Sequence, residues 1–294
     1  MKLFYYQSRT ANNFGDELNP WLWNKIFPNL FDNDSDVLVT GMGTILNGRV
    51  PKARKIIVLG SGVGYGKAPV IDDSWHIYWL RGPLSARQLR VSAERAITDS
   101  AYLIPTCHIP DKKKAFAHSF MPHISQSKCC DWEAICADLG MGYIDPDWET
   151  GKVLSVLENT QNLITEALHG AIVADAFRIP WMPVVTKASI LRFKWEDWCA
   201  SMDLKYSPLF LWPPWKGGQD GLLCRMKRAM KARLVKKQLR TIMSRQKFFL
   251  SKRNIHLDRI RRMEARLEDF RSDLLHQAFL PGSRVKQEAK SCEV

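Results

Sequence analysis

An α/β fold of two stacked Rossmann-like units, each built on a parallel sheet and followed by a basic helical tail, is what this chain predicts. Three observations carry that expectation. The apolar runs, VLVT and IIVLG among them, are continuous rather than alternating, as suits parallel strands covered on both faces. Most run into a glycine- or proline-bearing turn and then a helical pattern, the order of doubly wound sheets. Charge is split along the chain. Residues 1–221 carry 23 Lys+Arg and 23 Asp+Glu, leaving 20 and 7 for residues 222–294, so the whole net charge of +13 lies in the last quarter. Three segments follow: a first Rossmann-like domain over 1–110, a second over 111–221, and a basic amphipathic tail over 222–294, its boundary near Gly217 and Gly218.

The first unit opens with the β-rich run KLFYYQ. Asn13, Phe14, Gly15 and Asp16 then form a turn in which glycine is free to take φ > 0, and Leu18, Leu22 and Ile26 follow at i, i+4, i+8 of a helix. Two strands, VLVTGMGTIL and IIVLGSGVGYG, end in glycine-rich turns, but GSGVGYG does not open a good helix, so a dinucleotide fingerprint is not supported. In HIYWLRGPLSARQLR a strand ends at Leu80 and a helix begins near Leu84, with Pro83 at its start. Arg81 then stands at a strand's carboxyl end beside a helix N-terminus, a pairing that suits a phosphate or carboxylate; the plainer alternative is a solvated arginine. AITDSAYLIP reads as a further strand and turn, with Asp99 and Ser100 at its mouth. Residues 110–114, PDKKK, read as a linker.

The second unit is expected to run from the strand in FAHSFMPHISQ, which leads to His123, Ser125 and Gln126, through an amphipathic helix in CCDWEAICADLG and a strand in MGYIDP. VLSVLENT is a helix that returns to residues 164–185, ITEALHGAIVADAFRIPWMPVV. There a short buried strand meets Glu166, and Ala167, Gly170, Ala171 and Ala174 recur at helical spacing, so one face packs closely against a neighbour. Pro180 and Pro183 stop the helix, and WMPVV is the next strand. Glu166 and His169 therefore sit at the carboxyl end of a parallel strand, where α/β folds bind ligands. A capping Glu166 and a half-buried, satisfied His169 are the plainer alternative. FKWEDWCASMDL is a Trp-rich helix expected to pack across the domain junction.

No run of eighteen apolar residues suggests a membrane span, and MKLFYYQSRT has no signal-peptide pattern, so a cytoplasmic protein is expected. Seven cysteines without a CxxC pair read as reduced thiols; adjacent Cys129 and Cys130 with Cys136 make a poor metal set, and no metal is expected. In the tail, basic residues alternate with Met226, Met230, Leu234, Leu239, Ile242 and Met243, as on a cationic amphipathic helix. Ile260, Met263, Leu267, Phe270 and Leu274 form a short heptad seam. The expected division has residues 260–274 docked on the body and 223–249 facing an anionic membrane surface, peripheral on its inner face. Nucleic acid is disfavoured because aromatic residues are sparse among the basic ones.

NFGDELN, GMGTIL, RGPLSA, ITDSAYLI, MPHIS and TEALHGAIVADAFRIP, in this order over about residues 1–205, resemble the polysaccharide pyruvyl transferase family, in its branch acting on exopolysaccharides such as succinoglycan. The resemblance implies a GT-B-like fold, its two Rossmann-like domains facing a cleft. It implies phosphoenolpyruvate as donor substrate, no cofactor, and a polysaccharide or lipid-linked oligosaccharide as acceptor. His169 falls on the histidine of the family's Arg-Leu-His type motif, Arg81 on the arginine before its Ser turn, and Asn13 to Asp16 on its N-terminal loop. Ala167 stands where many members have arginine, so another cation must replace it; Arg81, Arg87, Arg178 and Lys67 are the candidates.

The donor brings a carboxylate and a phosphate, so its pocket needs cations and helix N-termini. Ketal formation needs a general acid at the enol carbon and a base for the sugar hydroxyl. On that inventory His169 is the expected acid/base, Glu166 or Asp16 accepts the sugar proton, and His123 competes for either role. Donor binding is assigned to Arg81, Asn13, Gly15, Ser100, His123 and Gly170. Two other classes stay open: a GT-B nucleotide-sugar glycosyltransferase of polysaccharide synthesis, and a binding protein acting through its basic tail.

Overall fold

The computed structural model describes residues 1–8, 11–32, 34–109, 114–212 and 222–276, with side chains from 225 onward in the last segment. Most of the expected 110–114 linker and the Gly217–Gly218 boundary lie outside the described residues.

Two parallel sheets form, for the reason the apolar runs suggested: both faces of each are covered. The first holds β1 (Lys2–Leu3), β2 (Val37–Thr40), β3 (Lys55–Leu59) and β4 (Trp75–Trp79), in the order β1-β2-β3-β4. The second holds β5 (Phe116–Met121), β6 (Gly142–Tyr143), β7 (Thr160–Thr165), β8 (Trp181–Val185) and β9 (Leu209–Phe210), in the order β6-β5-β7-β8-β9. All their pairings are parallel. AITDSAYLIP does not become a strand of the sheet. It makes one bridge, Leu80 to Ala96, then coils into a 3-10 turn over Ser100–Leu103, whose Asp99 cap accepts from the Ala101 N–H.

Around the first sheet lie α1 (Phe14–Ile26), α2 (Pro83–Leu89) and α3 (Ile104–Cys107). The second carries α4 (Ile124–Ser127), α5 (Trp132–Ala137), α6 (Thr150–Glu158), α7 (Leu168–Ala176) and α8 (Arg192–Ser201). The tail is α9 (Leu222–Arg245) and α10 (Arg253–Leu275). One continuous core joins both sheets. It takes Leu18, Leu22 and Trp23 from α1, Val39 and Leu59 from the first sheet, Leu163 and Trp181 from the second, and Met263, Leu267 and Phe270 from α10.

The tail corrects one expectation. The heptad seam docks as foreseen, Phe270 meeting Phe27 and Tyr78 edge-on. However, α9 is docked too. Val235, Leu239 and Ile242 are buried with Phe120, Ile164 and Val184 of the second sheet. Burial of such side chains stabilises by ~1.5–3 kcal/mol each as an upper bound, enough to hold that half of α9 on the protein rather than in lipid. Of the large apolar side chains described on α9, Met226, Met230 and Leu234 remain exposed. Among the described residues no helix is long and apolar enough to cross a membrane.

The second sheet places the site. The chain leaves β5 to add β6 on one side and returns to add β7 on the other. The carboxyl ends of β5 and β7 therefore diverge and open a crevice at a topological switch point.

Candidate active site

A cavity of about 390 Å³ lies where the loops of the two sheets meet. That is within the ~300–1,000 Å³ range of ligand sites. From the first unit come Phe4 and Tyr6 beyond β1, Asn13 to Asp16 at the start of α1, and Thr44 and Arg49 beyond β2. From the second come His123 beyond β5, Ala167 to His169 beyond β7, and Lys194 of α8.

The start of α1 crosses the start of α7, and glycine permits the approach. A Cβ on Gly15 would lie 2.0 Å from the His169 Nδ1. Gly15 is helical, so its value is the missing side chain, and the expected positive-φ turn is not what it supplies. Beside it the Asn13 amide donates to the Asp16 carboxylate at 2.6 Å. Burial pushes the Asp16 carboxyl up from its ordinary value, while His169, the Asn13 hydrogen bond and Lys194 pull it back.

His169 Nε2 lies 3.7 Å from Oδ2 of Asp99, a carboxylate without solvent exposure. Both atoms are buried, neither has a hydrogen-bond partner, and 3.7 Å is too long for one, so the two face each other as a potential ion pair. Nδ1 lies on the side of Gly15, which lines the cavity together with His169.

His123 has a different character. Its Nδ1 accepts the Ser125 backbone N–H at 3.2 Å, and burial, with the nearby Lys194 charge, lowers it to about 4. It is a neutral ring at pH 7, with its Nε2–H as a donor. A ring so depressed is a poor proton acceptor, which favours His169 over His123 for acid–base work.

Two described cations line the cavity, exposed Arg49 and half-buried Lys194. The lysine ammonium sits 6.0 Å from the Tyr65 ring centroid. Burial first, and Arg81 second, depress it to about 8, against the pull of Asp16 and Glu166.

Four expected site residues do not line the cavity. Arg81 is wholly buried, and the oxyanion it holds is the protein's own. Its Nε donates to Asp197 at 3.0 Å, and its terminal nitrogens donate to the Thr44 hydroxyl at 2.7 Å and the Val63 carbonyl at 2.9 Å. Asp197 arrives on α8 and also accepts the Ser85 N–H at 2.9 Å, so the strand-end arginine and the Trp-rich helix form an internal brace. Its link to the cavity is Thr44. Glu166 is likewise buried and occupied: its carboxylate accepts from the N–H and hydroxyl of Thr186 and from the His123 N–H. Burial raises its carboxyl and those hydrogen bonds oppose the rise. That is the capping role, and Asp16 is left as the carboxylate lining the cavity. Ser100 donates to the Gly41 and Leu59 carbonyls in the interior. Gly170 packs against the Met121 sulfur, which a Cβ would meet at 2.7 Å. Asn13, Gly15, Asp16, His123 and His169 are brought together as expected.

Of the cations suggested in place of arginine at position 167, Arg178 donates to the Ser251 hydroxyl and carbonyl, and Arg87 and Lys67 are exposed away from the cavity. Lys194 was hidden inside what reads as a packing helix. One signal marked it: α8 has no acidic residue in its first turn but carries Arg192 and Lys194 there, against the helix dipole. Asp99 was visible only as a turn residue. No three His, Cys, Asp or Glu side chains form a metal-holding group among the described residues.

No known family profile matches the chain. Over 214 residues it is 39% identical to the succinoglycan biosynthesis protein ExoV of Rhizobium meliloti (strain 1021), covering 71% of this chain and 67% of that protein.

Proposed function

The chain belongs to the polysaccharide pyruvyl transferase family, in its succinoglycan-type branch, and from that premise we propose that it moves pyruvate from phosphoenolpyruvate onto a sugar of an exopolysaccharide repeat as a ketal, releasing phosphate. The observation that carries this reading is a buried His169–Asp99 pair opening on the same cavity as Lys194. Acid–base and anion-binding groups stand side by side, as an enol phosphate requires.

In this scheme protonated His169 delivers its Nδ1 proton to the methylene carbon of the donor. The carbon–carbon double bond becomes a methyl group and an oxocarbenium-like centre at C2. Asp99 stabilises the imidazolium before transfer and orients the neutral ring after it. A sugar hydroxyl attacks C2, Asp16 takes its proton, and the C2–O bond to phosphate breaks. Asp16 returns that proton to the departing phosphate, and a second hydroxyl of the same sugar closes the ketal ring, its proton restoring the His169 imidazolium. Lys194 holds the donor's phosphate or carboxylate, with Arg49 at the rim, and replaces the arginine that Ala167 lacks. The small Ala167 side chain leaves room for that lysine from another element. His123 donates its Nε2–H to the bound anion. On this reading the two parallel sheets are the halves of a GT-B-like fold, and the acceptor is a lipid-linked oligosaccharide at the inner membrane face.

The test is acceptor-dependent phosphate release from phosphoenolpyruvate. His169→Ala should cut it by at least ~10²-fold with the fold intact. Asp99→Asn should lower turnover, shift the pH profile, and leave donor affinity near normal. Thermal stabilisation by a nucleotide sugar and not by phosphoenolpyruvate would overturn the reading in favour of a glycosyltransferase.

A further inference from the structure

The two tail helices carry charge differently. On α10 six basic residues stand among five acidic ones, several paired, as Arg266 with Asp269. On α9 there are nine basic residues and no acidic one. Among the described residues, an ion pair with Asp138 ties Lys236 to the body. The surplus charge of the protein is therefore concentrated on one helix, held by its other face.

That helix also shows apolar surface. Met226, Met230 and Leu234 succeed one another at i, i+4 and are 61%, 58% and 42% exposed. The row ends at Gln238, which accepts from the Trp212 N–H and donates to the Phe210 carbonyl. Phe210 and Trp212 stack edge to face at 5.8 Å and are 55% and 53% exposed. Aromatic and apolar side chains thus continue from the edge of the second sheet along α9, among the exposed bases Arg225, Lys227, Arg233, Lys237 and Arg240.

We infer that this face is a docking surface for an anionic lipid bilayer. Its bases contact the headgroups, while Met226, Met230, Leu234, Phe210 and Trp212 enter the interface. Charge complementarity selects the occupant: a cationic helix with an apolar row and a flanking tryptophan is the composition of an interfacial helix. Docking of Val235, Leu239 and Ile242 keeps α9 folded before it meets lipid, so no ordering cost falls on binding. The inference takes its purpose from the lipid-linked acceptor proposed above, but its geometry is independent of the cavity.

The experiment is co-sedimentation of the full chain with vesicles of phosphatidylcholine alone or with about 30% phosphatidylglycerol, without donor or acceptor. Binding should require the anionic lipid and fall at least about tenfold as salt rises from about 50 to about 300 mM. The variant Arg233→Glu/Lys237→Glu/Arg240→Glu should lose at least about tenfold. Lys52→Glu/Arg253→Glu/Arg261→Glu, with the same charge change on other exposed surfaces, should lose much less. Met226→Asp/Met230→Asp should weaken binding as well. Equal sedimentation with neutral vesicles, insensitivity to salt, or equal losses in the two charge-reversed proteins would overturn the inference. So would release by single-stranded RNA below the lipid concentration needed, or a dimer that Met226→Asp/Met230→Asp abolishes. Phosphate release with a water-soluble acceptor, measured on the same variants, should be unchanged; its absence in the parent protein would refute the chemistry and leave the docking result standing.

Discussion

Replacing Lys194 with Met keeps much of the side chain's length and apolar bulk and removes its charge. The lysine is depressed from 10.5 to about 8, chiefly by burial, so holding an ammonium there in the empty cavity costs at most ~3 kcal/mol. Solvent reaching a side chain that is only half-buried trims that to about half. The folded form binds fewer protons than the unfolded one between about pH 8 and 10.5. The penalty is therefore complete below pH 8 and gone above 10.5. Lys194→Met should melt about 2–5 °C higher than the parent at pH 7, an advantage that narrows as pH rises across that window. Stabilisation by phosphoenolpyruvate should disappear in the variant. In the parent, a bound anion restores the ammonium. The charged fraction of the empty site falls about tenfold from pH 7 to pH 9, and the donor's Kd should rise by about that factor. Calorimetry in two buffers of different ionisation enthalpy should then show proton uptake on binding at pH 8. A Kd equal at pH 7 and 9, or a Lys194→Met protein that binds the donor normally, would refute the assignment.

Two further outcomes follow from the packing. Arg81→Ala should lower stability by ~3–5 kcal/mol in chemical denaturation, because it strands Asp197 as a buried, unpaired charge; a stable protein with weakened donor affinity would instead return Arg81 to the pocket. Gly15→Ala should cut turnover at least ~10²-fold, since its methyl group must displace the His169 ring, while changing the melting temperature far less than Arg81→Ala; unchanged turnover would mean that His169 has another working position.

Much of this was written in the sequence where local rules decide. Continuous apolar runs announced both parallel sheets, and the strand–turn–helix at residues 164–176 placed His169 correctly at a strand's carboxyl end. The errors share one physical cause. Arg81 and Glu166 also stand at strand ends, where functional and bracing residues look alike in one dimension. Their roles were settled by partners distant in the chain, Asp197 at 116 residues and Thr186 at 20. Lys194 was only partly legible for the converse reason. The Trp-rich pattern put α8 across the domain junction, where it packs beside α2, but nothing in FKWEDW says that Lys194 faces a cavity there. Likewise the amphipathic pattern of α9 could not tell a lipid from a sheet face. Val235, Leu239 and Ile242 find the sheet, and Met226 and Met230 do not.

The placement of His169 against Asp99 and Asp16 is a tertiary property, because His169 belongs to the second unit and both carboxylates to the first. What holds the two in register is the buried carboxylate of Asp175 on α7. It accepts the Tyr102 hydroxyl of the first unit at 2.7 Å, the Trp181 indole at 3.0 Å and the Ser251 N–H between the tail helices at 2.9 Å. Phe249, two residues earlier, pairs its backbone with Trp181 on β8. His256, at the start of α10, hydrogen-bonds the same tyrosine at 2.7 Å. Each group here would be costly to bury alone, and each is satisfied only when first unit, second unit and tail are all present. The tail therefore cannot be an appendage added for its charge. Residues 249–256 and α10 lock the units whose meeting makes the cavity, and α9 extends from that lock with its charge on the outside.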